Sequence, residues 1–240
     1  MNKSIKYKDK ELLFHDLLQE GHNTDKFINS NTLFHRPDHR FEGLLGFLKK
    51  GDVVYDMGAY IGTFSLPMAI EGMEVYAFEG FPDNATRLRK NCKPYENIKV
   101  HEVALSNEDR VVTTKFNDCT DLEPQEREIT YVIFDEYMEK EDLPHPTFVK
   151  MDIEGMETVA LFGMKKLLED IRPVWQIGYH SDLDIKFKDY PGFLTVEEGG
   201  FDFSSFVKLN YVILCEGRSV NTFTHFGEYV CIPKENNCTI

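Results

Sequence analysis

The stretch Val53-Val54-Tyr55-Asp56-Met57-Gly58-Ala59-Tyr60-Ile61-Gly62 decides the fold. It opens with a β-branched and aromatic run, Val53 to Tyr55, set between Gly51 and Gly58, which reads as a buried strand. Asp56 closes that strand. Gly58 and Gly62 frame a tight turn, and Ile61, Phe64 and Met68 follow at helical spacing. Pro67 falls close to the first helical turn, where a missing N–H costs least. Strand, glycine turn and helix make the unit that lets a nucleotide-like ligand sit against bare backbone. The spacing is D-x-G-x-x-x-G, not the G-x-G-x-x-G that cradles a pyrophosphate. A carboxylate in this position suits a ligand that carries a cation, as S-adenosylmethionine does in its amine and sulfonium. By itself the loop also fits an ordinary βα corner with two turn glycines.

A ribose-binding acid belongs about 20 residues further on. There Glu74-Val75-Tyr76-Ala77-Phe78-Glu79 reads as the next strand, ending in a carboxylate able to accept hydrogen bonds from both ribose hydroxyls. A lone Glu at a strand end is usually a solvated terminus, but its distance from the glycine turn and its place in a β-α-β run favour ligation. Gly80-Phe81-Pro82 then turns the chain into a helix over Asn84–Lys93, with Asp83 as its expected N-cap.

The length of 240 residues fits one α/β domain over 1–240, with an N-terminal helical segment over 1–50 and an α/β core over 51–240. An apolar content of 42% excludes a wholly disordered chain. The formal charge of −14 argues against a nucleic-acid partner, because phosphate binding needs basic stripes. No apolar run approaches the roughly 18 residues of a membrane span, and no signal-peptide core follows the basic start Met1–Lys10. Cys92, Cys119, Cys215, Cys231 and Cys238 are odd in number, scattered and free of C-x-x-C spacing. They read as the reduced thiols of a cytoplasmic protein and not as a zinc site or a disulfide framework.

Along the rest of the chain, residues 8–20 read as a helix from Leu13, Leu17 and Leu18. Residues 41–48 read as a second helix, stopped by Lys49-Lys50-Gly51. Between them Phe34, His35, Arg36 and His39 are expected in a lid segment. Ile98–Val103 is a third strand, and Ala104-Leu105-Ser106-Asn107 supplies small residues at its end, open to a flat adenine ring or simply a plain strand exit. Arg110–Phe116 and Ile129–Phe134 are expected to pair. Phe148–Asp152 and Pro173–His180 are further strands, and the helix between them turns Ala160, Met164, Leu167 and Leu168 inward, with Gly163 as a break. A helix near 193–198 and strands over 201–206, 210–215 and 228–232 complete the pattern. Strands alternating with helices, then an antiparallel tail, predict a doubly wound sheet whose ligand lies outside the carboxyl ends of the strands. Asp56, Glu79, Ala104, Asp152 and His180 all stand at such ends.

Four segments together resemble the FkbM-type methyltransferase family: Val-Tyr-Asp-Met-Gly-Ala-Tyr-Ile-Gly (54–62), Val-Tyr-Ala-Phe-Glu-Gly-Phe-Pro (75–82), Ala-Leu-Ser-Asn (104–107) and Val-Lys-Met-Asp-Ile-Glu-Gly-Met-Glu (149–157). The last is the most specific. The resemblance covers about residues 40–180. It implies a class I methyltransferase (Rossmann-like) fold, with a mostly parallel seven-stranded sheet and an antiparallel edge hairpin. It also implies S-adenosylmethionine as methyl donor and a hydroxyl oxygen as the usual acceptor. Carried over by position, Asp56, Gly58, Tyr60 and Gly62 shape the cofactor loop, and Glu79 and Gly80 meet the ribose. Ala104 and Ser106 lie near the adenine, and Asp152 and Glu154 face the reacting end. Tyr60 stands where the family commonly has Asn, and Gly80 where Pro is common. The tail from Lys208 to Gly227 has no match and is a candidate for acceptor specificity.

Methyl transfer from a sulfonium needs oxygen, methyl and sulfur held in line, and the acceptor hydroxyl must lose its proton. Asp152, Glu154 and His180 are the candidate bases, with His180 attractive because a histidine titrates near neutrality. Alternatively Asp152 and Glu154 hold a divalent metal that acidifies the hydroxyl, or merely cap the next helix, and His180 is a satisfied strand-end histidine. The expected acceptor is a sugar hydroxyl of a polysaccharide or glycolipid, with small natural products next. A catalytically silent S-adenosylmethionine-fold binding protein is the alternative from another class, and a nicotinamide oxidoreductase has the wrong glycine spacing.

Overall fold

Burial alternates along Glu11, Leu12, Leu13 and Phe14, exposed and buried in turn, and that period of two makes the segment a strand. The computed structural model describes residues 3–7, 9–15, 48–115, 126–180, 200–215, 217–223 and 227–236. The chain divides into two compact units. One comprises Met1–Asp52, Ala59–Ala104 and Val111–Thr130, and the other comprises Val53–Gly58, Leu105–Arg110 and Tyr131–Ile240.

In the first unit, β1 (Lys3–Tyr7) and β2 (Lys10–Phe14) form an antiparallel hairpin, with Lys3 opposite Phe14 and Tyr7 opposite Lys10. The helix expected over 8–20 is therefore corrected over 10–14, and residues 8 and 16–20 lie outside the described residues. Leu12 and Phe14 are buried while Leu13 between them is 45% exposed, which a strand achieves and a helix turn does not. Leu12 and Phe14 join one apolar cluster with Ala59, Ile61, Leu66, Ala77, Leu88 and Cys92. The expected helix over 41–48, except for Leu48, which is not helical, lies outside the described residues, as do the lid segment with Phe34, His35, Arg36 and His39 and the helix near 193–198.

The next strand, β3 (Val53–Met57), belongs to the second unit. The first unit continues with α1 (Ser65–Ile70), β4 (Glu74–Phe78), α2 (Pro82–Cys92) and β5 (Ile98–His101). β4 and β5 run parallel, Val75 opposite Ile98 and Phe78 opposite His101. Pro67 lies in the first turn of α1, as its missing N–H requires. α2 starts two residues earlier than predicted: Pro82 takes the first helical position after Phe81, and no side chain caps it. Asp83 is instead held by the Arg127 guanidinium, 2.9 Å away. β6 (Ala104–Ser106), β7 (Arg110–Thr114) and β8 (Arg127–Ile133) follow, and β8 bonds to β7 as the sequence predicts.

The second unit carries α3 (Phe134–Lys140), β9 (Phe148–Met151), α4 (Glu157–Ala160) and β10 (Val174–Tyr179). After these come α5 (Ser205–Lys208), β11 (Tyr211–Cys215), β12 (Arg218–Val220) and β13 (Gly227–Pro233). Its strand order is β12-β11-β13-β10-β9-β3. β3, β9 and β10 are parallel, and β13, β11 and β12 are antiparallel. The resemblance implied a seven-stranded sheet with an edge hairpin, and the second unit has one strand more at that edge. The additional strand is β12, three residues that lengthen the edge hairpin. Ala160, Met164, Leu167 and Leu168 are buried as expected, but the helix is broken: α4 passes into a 3₁₀ turn, Leu161–Gly163, and then one π turn, Leu167–Ile171. Gly163 packs so closely that a Cβ there would lie 2.5 Å from the Ser106 carbonyl oxygen. The strand expected over 201–206 is instead a turn leading into α5. Phe203 and Phe206, three residues apart, are the buried pair, and Asp202 accepts the Ser204 N–H at 2.9 Å.

Candidate active site

Three parallel strands of the second unit end side by side, with Asp56 and Lys150 one residue before the ends of β3 and β9, and Asp152 and His180 just beyond the ends of β9 and β10. Asp56 on β3 lies opposite Lys150 on β9, which in turn lies opposite Gln176 on β10. Asp56 is fully buried. Lys150 places its Nζ 3.2 Å from Asp56 Oδ1 and donates to the Gly58 carbonyl at 2.8 Å. Burial alone would pull the Lys150 ammonium down. The charges of Asp56, Asp152 and Glu228 more than offset that and hold its pKa above the ordinary lysine value. The cation that the sequence assigned to a ligand is therefore supplied from within the chain. Gly58, at φ +80°, is set by its own chain too: a Cβ there would lie 1.9 Å from the Asp152 carbonyl oxygen.

The exit of β9 is a tight loop. Glu154 and Gly155 both have positive φ, 55° and 95°, a conformation that strains a non-glycine residue. Its strain is tied down by Glu157, a fully buried carboxylate that accepts the Ile153 N–H at 3.1 Å and the Gly155 N–H at 3.3 Å. Neither Asp152 nor Glu154 caps α4, whose N-cap is Met156 with no side-chain cap bond. That leaves both carboxylates for His180, which follows β10. Its Nδ1 is 3.2 Å from Glu157 Oε1, and its Nε2 is 3.4 Å from Asp152 Oδ1 and 3.9 Å from Glu154 Oε2. Burial works against the charged imidazole, but the bond to Glu157 and the charges of Glu157, Asp152 and Glu154 outweigh it and push the His180 pKa up to about 10. His180 is thus an imidazolium at neutral pH, and a neutral-range histidine base, as the sequence suggested, is not what this surrounding makes. Gly178 leaves room beside it: a Cβ there would meet Asp152 Cγ at 3.2 Å and Glu228 Oε1 at 3.4 Å.

One ligand atom each from Asp152, Glu154 and His180 lies within 4.8 Å of the others. The donor set suits a divalent cation. His180 turns Nε2 to the two carboxylates while a second carboxylate, Glu157, holds Nδ1, as metal-ligating histidines are commonly held. A proton on Nε2 and a metal ion would compete for that one position.

In the first unit the predicted residues Tyr60, Gly80 and Ala104 collect around Glu79. Its carboxylate is 7% exposed and accepts from the Tyr60 N–H at 2.8 Å, the Phe81 N–H at 3.0 Å and Asn84 Nδ2 at 3.5 Å. Gly62, at φ +96°, lets Leu88 of α2 approach, 3.1 Å from where a Cβ would be. Ser106 lies in the second unit, fully buried, with its hydroxyl 3.4 Å from Asn107 Oδ1. Sequence reasoning missed Lys150 and Glu157 as site residues, although both stand inside the quoted 149–157 motif. It also missed Asn84 and Glu228, for which no motif exists.

The methyltransferase FkbM domain model matches residues 56–203. The chain belongs to the FkbM methyltransferase domain family. Among curated proteins, the hexuronic acid methyltransferase AglP of Haloferax volcanii is 28% identical over 150 residues, 60% of this chain. The chain spans 62% of the length of that relative in the match. Among solved structures, methyltransferase FkbM from Methylobacillus flagellatus KT superposes with a TM-score of 0.51 at 21% identity, over 77% of this chain and 44% of that one. The precorrin-6y C5,15-methyltransferase of Geobacter metallireducens GS-15 superposes at 0.46 and 16%, over 83% and 88%. The fold is that of class I S-adenosylmethionine methyltransferases, a mixed and mostly parallel sheet with antiparallel edge strands.

Two departures from the FkbM pattern now have a physical account. Tyr60 has φ +52°, the left-handed conformation that Asn tolerates and a bulky residue pays for. Its ring packs against the cluster that includes Leu12 and Phe14, so burial offsets the strain. Gly80 lies against Ala104, whose Cβ would be 2.6 Å from a Cβ at position 80, so the residue there has to be small.

Proposed function

We propose that this FkbM-family chain transfers the methyl group of S-adenosylmethionine to a hydroxyl oxygen of a sugar or glycan. The observation that carries the reading is the Glu157–His180–Asp152/Glu154 cluster at the carboxyl ends of β9 and β10, built from the family's own 149–157 motif. The relative named as a hexuronic acid methyltransferase supports the sugar class. In this reading Glu79 keeps its expected role as the ribose acid, and the cluster is the reacting end. Carboxylates outnumber cations there, which favours a sulfonium over a neutral ligand.

In this reading the methyl carbon leaves sulfur as it bonds to oxygen, and the sulfonium becomes a neutral thioether. The oxygen grows more acidic as it gains the methyl group, so a carboxylate suffices to take its proton. Asp152 is the acceptor of that proton. The His180 imidazolium, clamped by Glu157, holds Asp152 and Glu154 in place. A second reading rests on the same three ligand atoms: a divalent cation on Asp152, Glu154 and His180 would acidify the hydroxyl instead.

The test is incubation with isotopically labelled S-adenosylmethionine and a panel of neutral and acidic glycosides, read by mass spectrometry, with and without chelator. Label on a sugar oxygen is the expected result. Binding of the donor with no transfer to any acceptor would leave a silent binding protein, and activity lost to chelator and restored by magnesium would select the metal reading.

A further inference from the structure

Arg87 is a cation buried in the first unit. It sits in the middle of α2 and is 5% exposed. Neither of its terminal nitrogens has a hydrogen-bond partner among the described residues. A guanidinium does not lose its charge in a protein, and an uncompensated buried charge is costly. Its paired N–H edge is the fork that matches a carboxylate in two parallel bonds.

The helix places this fork. Asn84, three residues before Arg87, reaches Glu79 with its Nδ2 at 3.5 Å. Asn91, four residues after, donates to the Ile61 carbonyl at 2.8 Å and accepts the His15 N–H at 2.7 Å. Residues three and four apart share a helix face, so Arg87 stands between the ribose acid and the cofactor loop. Asn84 is 1% exposed, and its Oδ1 likewise has no partner among the described residues. A buried pair of donors and a buried acceptor therefore sit on successive positions of one face, both unsatisfied. Native interiors rarely leave such groups unpaired without a ligand or water to pair them.

We propose that Arg87 and Asn84 form a receptor for a carboxylate flanked by a hydrogen-bond donor. The guanidinium takes the carboxylate, and Asn84 Oδ1 accepts from the neighbouring hydroxyl or ammonium. The choice of carboxylate rests on the methyl-transfer reading, which supplies two sources: the amino-acid end of S-adenosylmethionine, and a uronic acid acceptor.

Titration calorimetry on the full chain separates them. The ligands are S-adenosylhomocysteine against its decarboxylated counterpart, and methyl glucuronide against methyl glucoside. The wild type should prefer the carboxylate member of one pair by about tenfold or more, and that pair names the source. Arg87→Gln should abolish the preference while leaving the neutral member's affinity unchanged. Arg87→Lys, which keeps the charge and loses the fork, should retain part of it, and serves alone if the Gln variant does not fold. Relieved of a buried charge, Arg87→Gln without ligand should also melt higher, by about 2–4 °C. A wild type with no preference in either pair, or a variant that keeps it, overturns the receptor. A wild type that binds neither adenosyl ligand refutes the methyl-transfer reading separately, since the glucuronide pair still tests Arg87.

Discussion

Glu157 Oε1 lies 3.2 Å from Nδ1 of His180, and the carboxylate is fully buried. This contact joins the exit loop of β9 to the end of β10 and turns a strand-end histidine into a fixed cation. Asp152 and Glu154, on the other side of the ring, are then held by Nε2. The chemistry of the site is decided by which group is charged, and that follows from Glu157.

The first prediction concerns pH and stability. The His180 pKa rises from 6.5 to about 10 on folding. A histidine raised in this way contributes its stability in full below the unfolded pKa and loses it as pH climbs through the folded one. The contribution at neutrality is on the order of a few kcal/mol. Thermal melts should therefore fall in Tm between pH 7 and 10, more steeply for wild type than for His180→Gln. Parallel curves for the two proteins would show that the ring is neutral in the folded state.

Removing the buried partner should cost more than removing the ring. Glu157→Gln leaves the His180 cation without its closest anion, and breaking one side of a buried pair costs about 3–5 kcal/mol. Urea unfolding measures this. Turnover should fall while the affinity for S-adenosylhomocysteine holds, because Glu157 acts through His180 and not on the cofactor. An equal loss of both would make Glu157 part of the donor site.

The two glycines at the ends of β3 give an internal control. Gly51 has φ +90° and nothing within 4 Å of a Cβ, so Gly51→Ala costs only the left-handed conformation, about 1–2 kcal/mol. Gly58 has φ +80° and the Asp152 carbonyl oxygen 1.9 Å from its would-be Cβ. Gly58→Ala adds overpacking of about 1–3 kcal/mol and more, and it displaces Asp152. The expected order in chemical denaturation is wild type, Gly51→Ala, then Gly58→Ala. Similar losses for both would mean that Asp152 moves aside freely.

Glu79→Ala should weaken S-adenosylhomocysteine by about 1.5–3 kcal/mol for each ribose bond lost. It should also lower stability, since it strips the Tyr60 and Phe81 N–H groups of their acceptor. Calorimetry and melting on the same sample read both. Unchanged affinity in a destabilised variant would leave Glu79 as a brace for the loop and put the ribose elsewhere.

Much of this was readable along the chain, and the reason is local. The short apolar runs Val53–Tyr55 and Val75–Phe78, the turn glycines, and the run from Lys150 to Glu157 each declare an element or a motif within a few residues. Asp152, Glu154 and His180 were named as one candidate group because strand ends in a doubly wound sheet face one edge. The N-terminal segment misled because Leu13, Leu17 and Leu18 imitate a helical stripe, whereas the neighbours that bury Leu12 and Phe14 come from Ala59 to Cys92. Phe201 to Phe206 misled in the opposite sense, an aromatic run that suggests a strand but buries Phe203 and Phe206 at turn spacing.

By itself, then, the sequence determined the class of fold, the family and the residues at the strand ends, since periodicity and spacing are carried by neighbours in the chain. Only the tertiary structure decided their charges. Asp56 meets Lys150 across β3 and β9, 94 residues apart in the chain, at 3.2 Å. His180 becomes a cation because the bond to Glu157 and the charges of Glu157, Asp152 and Glu154 outweigh its burial. The terminal nitrogens of Arg87 are left without a hydrogen-bond partner among the described residues. A side chain's charge state depends on burial and on what lies within a few ångströms, and neither is a property of its position in the sequence.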